Sequence, residues 1–146
     1  MTARFVQSIA AFSSRFLRSN PEHLRRGAKG EKLAGRFLRR QGYKILCRNF
    51  RGRTGGEIDI VCRDHDTLVF VEVKTRSSED FGRPFEAIAR DQQHRISRGA
   101  LAWLRMLDNP DILFRFDVVE VVMSKDSEPR IELIRNAFAL SEAYHY

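Results

Sequence analysis

The sequence predicts an α/β fold in which helices cover the faces of one mixed β-sheet. Apolar residues recur at helical spacing in two stretches, and segments with strand-like apolar patterns lie between and after them. The predicted order is therefore helix, three strands, helix, strand and strand. A chain of 146 residues is long enough for one domain with a sizeable core and too short for two.

The first helix is predicted over residues 22–41, where an apolar stripe recurs at helical spacing. Gly42 supplies its C-terminal stop. The sequence Asn20-Pro21-Glu22 is typical of a helix start, with a capping residue, a proline at the first helical position and an acid in the first turn. We expect the main domain to begin at this point.

Residues 1–21 are predicted to be a basic amphipathic N-terminal extension, and residues 22–146 a single domain. The extension repeats phenylalanine and isoleucine at helical spacing and contains no acidic residue. We favour a terminal helix that packs on a domain, or a partly disordered segment. A transit peptide and an interfacial helix are the alternatives.

The remaining elements follow from apolar runs bounded by turn residues. The third strand is apolar on both faces up to Glu72, which indicates a central strand covered on both sides. The second helix is clearest from Ile96 to Leu107. The predicted strands are Tyr43–Phe50, Glu57–Arg63, Thr67–Thr75, Ile112–Met123 and Arg130–Arg135.

The composition favours an anionic partner. Lys and Arg total 26 against 19 acidic residues, which gives a net charge of +7. Nucleic acid is a better match for this charge than an acidic membrane surface, and a basic protein without a polyanion partner is the alternative.

No apolar run approaches the length of a transmembrane helix, so we expect no stable membrane insertion. Cys47 and Cys62 match no disulfide or zinc spacing and are expected to be buried in a reducing, cytoplasmic environment.

Three charged residues interrupt the second and third strands. Asp59 lies within Gly-Glu-Ile-Asp-Ile at 56–60, and Glu72 and Lys74 lie within Val-Glu-Val-Lys at 71–74. Strand side chains alternate between faces, so Glu72 and Lys74 point the same way. Buried carboxylates are costly unless they hold something, and a divalent metal with a bound water is the candidate. An ion pair on an edge strand, without chemistry, is the alternative.

The turn between the two strands decides whether the carboxylates meet. Opposed residues of an antiparallel pair share a face, and a slip of one residue reverses every side chain. A turn centred on His65 and Asp66 would place Asp59 directly opposite Glu72. A three-residue turn without a bulge would separate the two side chains.

Four motifs together resemble the YraN family of small bacterial proteins predicted to be endonucleases. That family is similar to the archaeal Holliday-junction resolvases and belongs to the PD-(D/E)xK, or restriction-endonuclease-like, superfamily. The resemblance covers roughly residues 24–138 and departs at Ile58, where the superfamily's nickname has proline. The motifs are Gly30-Glu31, Arg48-Asn49-Phe50-Arg51, Gly55-Gly56-Glu57-Ile58-Asp59 and Phe70-Val71-Glu72-Val73-Lys74-Thr75-Arg76.

The resemblance implies a restriction-endonuclease-like α/β/α sandwich and a nuclease that depends on Mg²⁺ or Mn²⁺. Asp59 and Glu72 match the metal-binding carboxylates, and Lys74 matches the lysine that orients or activates the attacking water. Glu31 matches the first-helix glutamate of the resolvase-like branch, with a catalytic and metal-binding role. From the residues alone, Glu31 can reach inward past the small residues Ala34 and Gly35, and an exposed helix acid paired with a nearby arginine is the alternative. Resolvases need two active sites, so a homodimer is compatible with the resemblance.

The predicted substrate is DNA ahead of RNA, in branched or otherwise irregular structures. The alternative function is a nucleic-acid-binding module that keeps the fold without meaningful cleavage, as an accessory to repair, recombination or DNA uptake. Basic residues on the first helix, in the hairpin and just past Lys74 are candidates for phosphate contacts, although such a charge run is often only a solvated face. These candidates are Arg25, Arg26, Lys29, Arg51, Arg53 and Arg76.

Overall fold

The computed structural model describes residues 21–77 and 88–144, with side chains from residue 25 onward. Within these residues the order of elements is the predicted one. The N-terminal extension before Pro21 lies outside the described residues, and so does most of the loop that the sequence predicts from Ser77 to Pro84. The elements are α1 (Pro21–Arg40), β1 (Lys44–Arg51), β2 (Glu57–Asp64), β3 (Thr67–Ser77), α2 (Arg90–Met106), β4 (Phe114–Met123) and β5 (Arg130–Phe138).

The five strands form one mixed sheet in the order β1-β2-β3-β4-β5. Neighbouring strands are antiparallel except for β3 and β4, which run parallel. A parallel pair needs a long connection, and α2 lies within the segment that joins β3 to β4. The central position predicted for β3 from its apolar sequence is confirmed.

A helix packs on each face of the sheet, which makes an α/β/α arrangement of three layers. On one face, Ala34 and Leu38 of α1 pack with Val71 and other β-branched residues of the sheet. On the other face, Ile96 and Leu104 of α2 belong to the core cluster that contains the sheet's phenylalanines. Burial of these apolar surfaces is the main stabilising contribution to the fold. Neither helix within the described residues is long and apolar enough to cross a membrane.

Every strand has at least one end that differs from the predicted one by one to three residues, and in β4 and β5 the difference has a clear physical cause. β4 begins at Phe114 rather than Ile112, because the Ile112 N–H bonds to the carbonyl of Pro110 in a turn and Leu113 is 74% exposed. β5 continues past the predicted end to Phe138, whose ring stacks on Phe116 at a centroid distance of 4.8 Å. The two cysteines are buried with free thiols, as predicted.

Gly30 sets how closely α1 approaches the sheet. It is buried, and a Cβ at this position would overlap the Thr75 Oγ1 atom of β3. Glycine therefore permits a helix-to-strand approach that alanine does not. This approach also fixes the height of the next residue, Glu31, above the sheet.

We expect Gly30→Ala to lower the free energy of unfolding by about 1–3 kcal/mol, as overpacking of a buried contact does. Urea denaturation followed by circular dichroism measures it. Gly27→Ala on the same helix is the matched control, because nothing lies within 4 Å of a Cβ there. The control should be neutral or stabilising by up to ~1 kcal/mol. Equal stability of the two variants would contradict the close approach.

Candidate active site

The hairpin between β2 and β3 has the two-residue turn that brings its carboxylates together. Asp64 pairs with Thr67, so His65 and Asp66 form the turn, and His65 adopts a φ of 52°. The register carries Asp59 to the position opposite Glu72. The Lys74 Nζ atom lies 3.7 Å from Glu72 Oε1, which confirms that these two side chains share a face.

Asp59 lies where the backbone pairing of β2 and β3 ends. The last residue pair is Ile60 with Val71. Beyond it the Asp59 Oδ2 atom accepts a hydrogen bond of 2.8 Å from the backbone N–H of Val73. The side chain of Asp59 is also in hydrogen-bond contact with that of Glu72. The two carboxyl groups are therefore adjacent, as a shared cation would require.

The alternation of faces breaks at Asp59. Ile58 and Val61 both belong to the core beneath α2, although they are three residues apart, whereas Ile60 belongs to the core beneath α1. Across from Asp59 on β1 lies Asn49, which has a φ of 53°, a left-handed conformation that asparagine tolerates better than most residues. Because both strands change face here, Asp59 is not enclosed in either apolar layer.

Gln92 on α2 joins Glu72 to Lys74. Its Nε2 atom donates a hydrogen bond of 2.6 Å to Glu72 Oε1, and its Oε1 atom accepts one of 2.8 Å from Lys74 Nζ. An ammonium can only donate and a carboxylate can only accept, so this orientation of the amide is the one that satisfies both partners. The bridge holds the lysine beside the carboxylate pair.

Gln92 was not among the residues predicted from the sequence, although a signal was present. Gln92 precedes Ile96 by four residues, so it continues the buried stripe of α2 by one turn with a polar side chain. A polar residue in line with an apolar stripe points into the protein at the helix end. That pattern alone, however, does not say which strand the amide meets.

The carboxylate pair is strained electrostatically without a cation. Burial, and then the charge of Asp59, raises the pKa of Glu72 to about 8, although Lys74 and Arg95 oppose the shift. Burial also raises the pKa of Asp59, and the Val73 N–H opposes that shift. A divalent cation between the two groups would remove their repulsion.

The donor set fits Mg²⁺ or Mn²⁺. Among residues 25–77 and 88–144, no three His, Cys, Asp or Glu side chains form a group that could hold a metal ion. The candidate ligands from the described part of the chain are thus the Asp59 and Glu72 carboxylates. Mg²⁺ is commonly bound by one or two carboxylates while it keeps several waters and contacts a substrate phosphate.

Glu31 faces inward from α1, as one of its two predicted orientations required. Burial, followed by the charge of Asp59, raises its pKa to about 7, and a hydrogen bond with the Asn49 side chain opposes this shift. The charge of Asp59 therefore acts on Glu31 and disfavours its ionised form. Its metal-binding role stays a prediction.

The predicted phosphate contacts divide into two groups. Arg76 and Arg51 have acidic neighbours: Arg76 Nε lies 3.6 Å from Glu120 Oε2, and Arg51 Nε lies 3.9 Å from Glu57 Oε2. The other four are exposed, three of them on α1 and one in the loop after β1. These exposed residues are Arg25, Arg26, Lys29 and Arg53.

We expect Glu72→Gln to stabilise the metal-free protein at alkaline pH. The folded protein keeps the Glu72 proton up to about pH 8, whereas a glutamate with an ordinary pKa of 4.5 releases it much earlier. Stability of the wild type should therefore fall as pH rises from about 4.5 to about 8, and the fall should be smaller in the variant, which keeps only the part that other raised groups such as Glu31 contribute. At pH 8 in EDTA the variant should be more stable by about 2–4 kcal/mol. Urea titrations at pH 5 and pH 8 measure the difference.

Glu132→Gln is the control for that experiment, since Glu132 is an exposed glutamate on β5. Its stability should follow the wild type at both pH values. A Glu72→Gln variant that also follows the wild type would show that the carboxylate pair carries no repulsion. Mg²⁺ should raise the melting temperature of the wild type and leave that of Glu72→Gln nearly unchanged, because a ligand stabilises only a state that binds it.

Comparison with known proteins assigns the chain to a family. Residues 30–121 match the family described as Uncharacterised protein family UPF0102. A UPF0102 protein of Geobacter sulfurreducens is 50% identical over 115 residues, which cover 79% of this chain and 89% of that protein. A UPF0102 protein of Nocardia farcinica is 47% identical over 112 residues, covering 77% and 87% of the two chains. The chain belongs to the UPF0102 family.

Proposed function

We propose that this protein is a metal-dependent nuclease that hydrolyses phosphodiester bonds in DNA. One observation carries the proposal: two adjacent carboxylates, Asp59 and Glu72, lie beside an ammonium that Gln92 holds in place. An ion pair with Lys74 would need only one carboxylate. A second carboxylate beside the first adds repulsion, which a bound cation would remove. The YraN-like motifs assign the same three charged residues to cleavage.

The residues divide the chemistry between them. Asp59 and Glu72 would hold Mg²⁺ or Mn²⁺, which when bound polarises the phosphate and lowers the pKa of a bound water. The Lys74 ammonium, kept near Glu72 by Gln92, would orient the attacking water and offset the negative charge that grows on the phosphate. The Val73 N–H fixes one Asp59 oxygen, which leaves the other as the candidate metal ligand.

The net charge supports a nucleic-acid substrate, and the free cysteines support a cytoplasmic location. A net charge of +7 favours association with a polyanion, and exposed arginines on α1 lie on the same helix as Glu31. Cys47 and Cys62 are free thiols, which suits a reducing cytoplasm. Cutting both strands of a branched substrate would need two such sites, and we propose a homodimer for that case.

The test is a cleavage panel of single-stranded, duplex, flapped and four-way DNA, with matched RNA strands, in Mg²⁺ or Mn²⁺. We expect cleavage that EDTA abolishes, with DNA cut in preference to RNA. The competing hypothesis is a binding module that keeps the fold, and the lack of a third carboxylate in a metal-ligand group of the described residues favours it. Tight binding without cleavage of any substrate in either metal would replace the nuclease with that module.

A further inference from the structure

A basic groove lies between α1 and β1, next to the carboxylate pair. Its volume is about 510 Å³, within the range of clefts that hold small ligands, ~300–1,000 Å³. Glu31 and Asn49 also line it, and Asn49 lies across from Asp59 in the pairing of β1 with β2. The basic side chains in the groove are Lys32, Arg36, Arg39 and Arg48.

Gly35 determines where the Arg48 guanidinium lies. Gly35 is a buried residue of α1, and a Cβ at this position would overlap the Nη2 atom of Arg48. The guanidinium of Arg48 therefore lies against the helix backbone, where its charge also lowers the pKa of Glu31. Because the atom in the way is the end of a flexible side chain, a methyl group at Gly35 would displace Arg48 rather than disrupt the helix.

The lining chemistry selects a phosphate ligand rather than a base. Lys32, Arg36 and Arg39 are exposed and present their charges to the groove. None of the described residues that line the groove is aromatic, so it offers no surface on which a base could stack. Guanidinium groups bind phosphate oxygens through paired hydrogen bonds, and such contacts carry no sequence information.

We propose that this groove binds the phosphodiester backbone of the strand that enters the Asp59–Glu72 site, and that Gly35 positions Arg48 to grip one of its phosphates. The inference rests on the proposed function in that the ligand is a nucleic-acid strand. The proposal adds a phosphate-binding groove beside the cleavage point. It also assigns a role to Gly35, whose lack of a side chain leaves room for the Arg48 guanidinium in that groove.

The first test measures binding of a fluorescent single strand, and of an abasic strand of equal length, by anisotropy in EDTA. Arg48→Ala should weaken binding of both strands roughly tenfold, the effect of removing one charge-assisted hydrogen bond. Gly35→Ala should weaken binding by a similar factor while its melting temperature stays at or above that of the wild type, since alanine favours helix. The double variant should bind no more weakly than Arg48→Ala alone.

Two controls separate this outcome from general effects. Gly27→Ala makes the same change on the same helix with nothing within 4 Å, so it should bind like the wild type. Arg40→Ala removes an exposed charge outside the groove and should cost much less than Arg48→Ala. Normal binding by Gly35→Ala and Arg48→Ala, or equal reductions in Arg48→Ala and Arg40→Ala, would overturn the proposal. If the wild type bound the abasic strand much more weakly than the normal strand, the groove would recognise bases rather than phosphates, and the proposal would also be overturned.

The second test uses the dependence of affinity on salt. Replacing Lys32, Arg36 and Arg39 with glutamine should reduce the slope of log K against log salt by about 0.7 for each phosphate that the variant no longer neutralises. Replacing Arg40, Lys44 and Arg63 removes the same charge from exposed positions outside the groove and should change the slope far less. Equal slopes for the two triple variants would mean that only net charge matters, and would refute the groove.

The failure of the groove and the failure of the nuclease can be told apart. A wild type that binds but never cuts, with groove variants that lose binding, refutes the nuclease and keeps the groove. A wild type that cuts, with groove variants that bind and cut normally, refutes the groove and keeps the nuclease. A wild type that binds neither strand at low salt refutes the groove.

Discussion

Asp59→Ala and Glu72→Ala should each reduce the cleavage rate by at least about 100-fold, because each removes one of two adjacent carboxylates that would hold the metal. The rate on the best substrate of the panel, at saturating Mg²⁺, is the measurement. Nucleic-acid binding in EDTA should persist or tighten in both variants, since a negative charge that faces the phosphate has gone. Asp66→Ala on the turn of the same hairpin is the matched control and should cut normally, because its carboxylate is exposed.

Lys74→Ala completes the same experiment. It should lose activity to a similar degree but still gain thermal stability from Mg²⁺, because an ammonium is not a metal ligand. Cleavage that survives in all three variants would indicate a contaminating nuclease. Full activity in Lys74→Ala alone would remove the lysine from the chemistry and leave the Gln92 bridge with a structural role.

Asp117→Ala should have the largest effect on stability. Asp117 is fully buried and accepts hydrogen bonds from Arg115 at 3.0 Å, the Asn136 N–H at 2.9 Å and the Tyr43 hydroxyl at 3.4 Å. Removing it takes the buried ion-pair partner away from the Arg115 guanidinium, which is 20% exposed, and the hydrogen-bond acceptor away from the Asn136 N–H. Breaking a buried ion pair in this way costs about 3–5 kcal/mol, which urea denaturation would measure.

The Asp117 experiment is also a control for the site. Asp117 pairs with Val71 and lies on the α1 side of the sheet, opposite the face that carries Glu72 and Lys74. Folded Asp117→Ala protein at low temperature should therefore bind Mg²⁺ like the wild type. Asp64→Ala breaks a more accessible contact to Arg115, at 2.9 Å, and should cost less. An Asp117→Ala variant as stable as the wild type would contradict the buried network.

Local rules of strand geometry were enough to predict the central part of the site. Alternation placed Glu72 and Lys74 together, and an even-numbered turn placed Asp59 across from Glu72. Both rules act within one hairpin, where few residues separate the partners. The small residues Ala34 and Gly35, one turn along the helix, allow the inward orientation of Glu31, but the sequence alone does not exclude the exposed one.

The parts that escaped prediction depend on contacts between distant segments. Gln92 meets β3 only because α2 crosses the sheet, and its partners lie 18 and 20 residues away. The position of Arg48 depends on a glycine of another element, and no periodicity in either segment records that. The Asp117 network likewise needs the register of β4 against both β3 and β5.

The two-residue turn at His65 and Asp66 has a consequence for how the gene can vary in length. Gain or loss of one codon here would either force a bulge or turn Glu72 and Lys74 to the α1 side of the sheet, away from Gln92. Gain or loss of two codons would keep all three side chains together. We therefore expect functional relatives to differ at this hairpin by even numbers of residues.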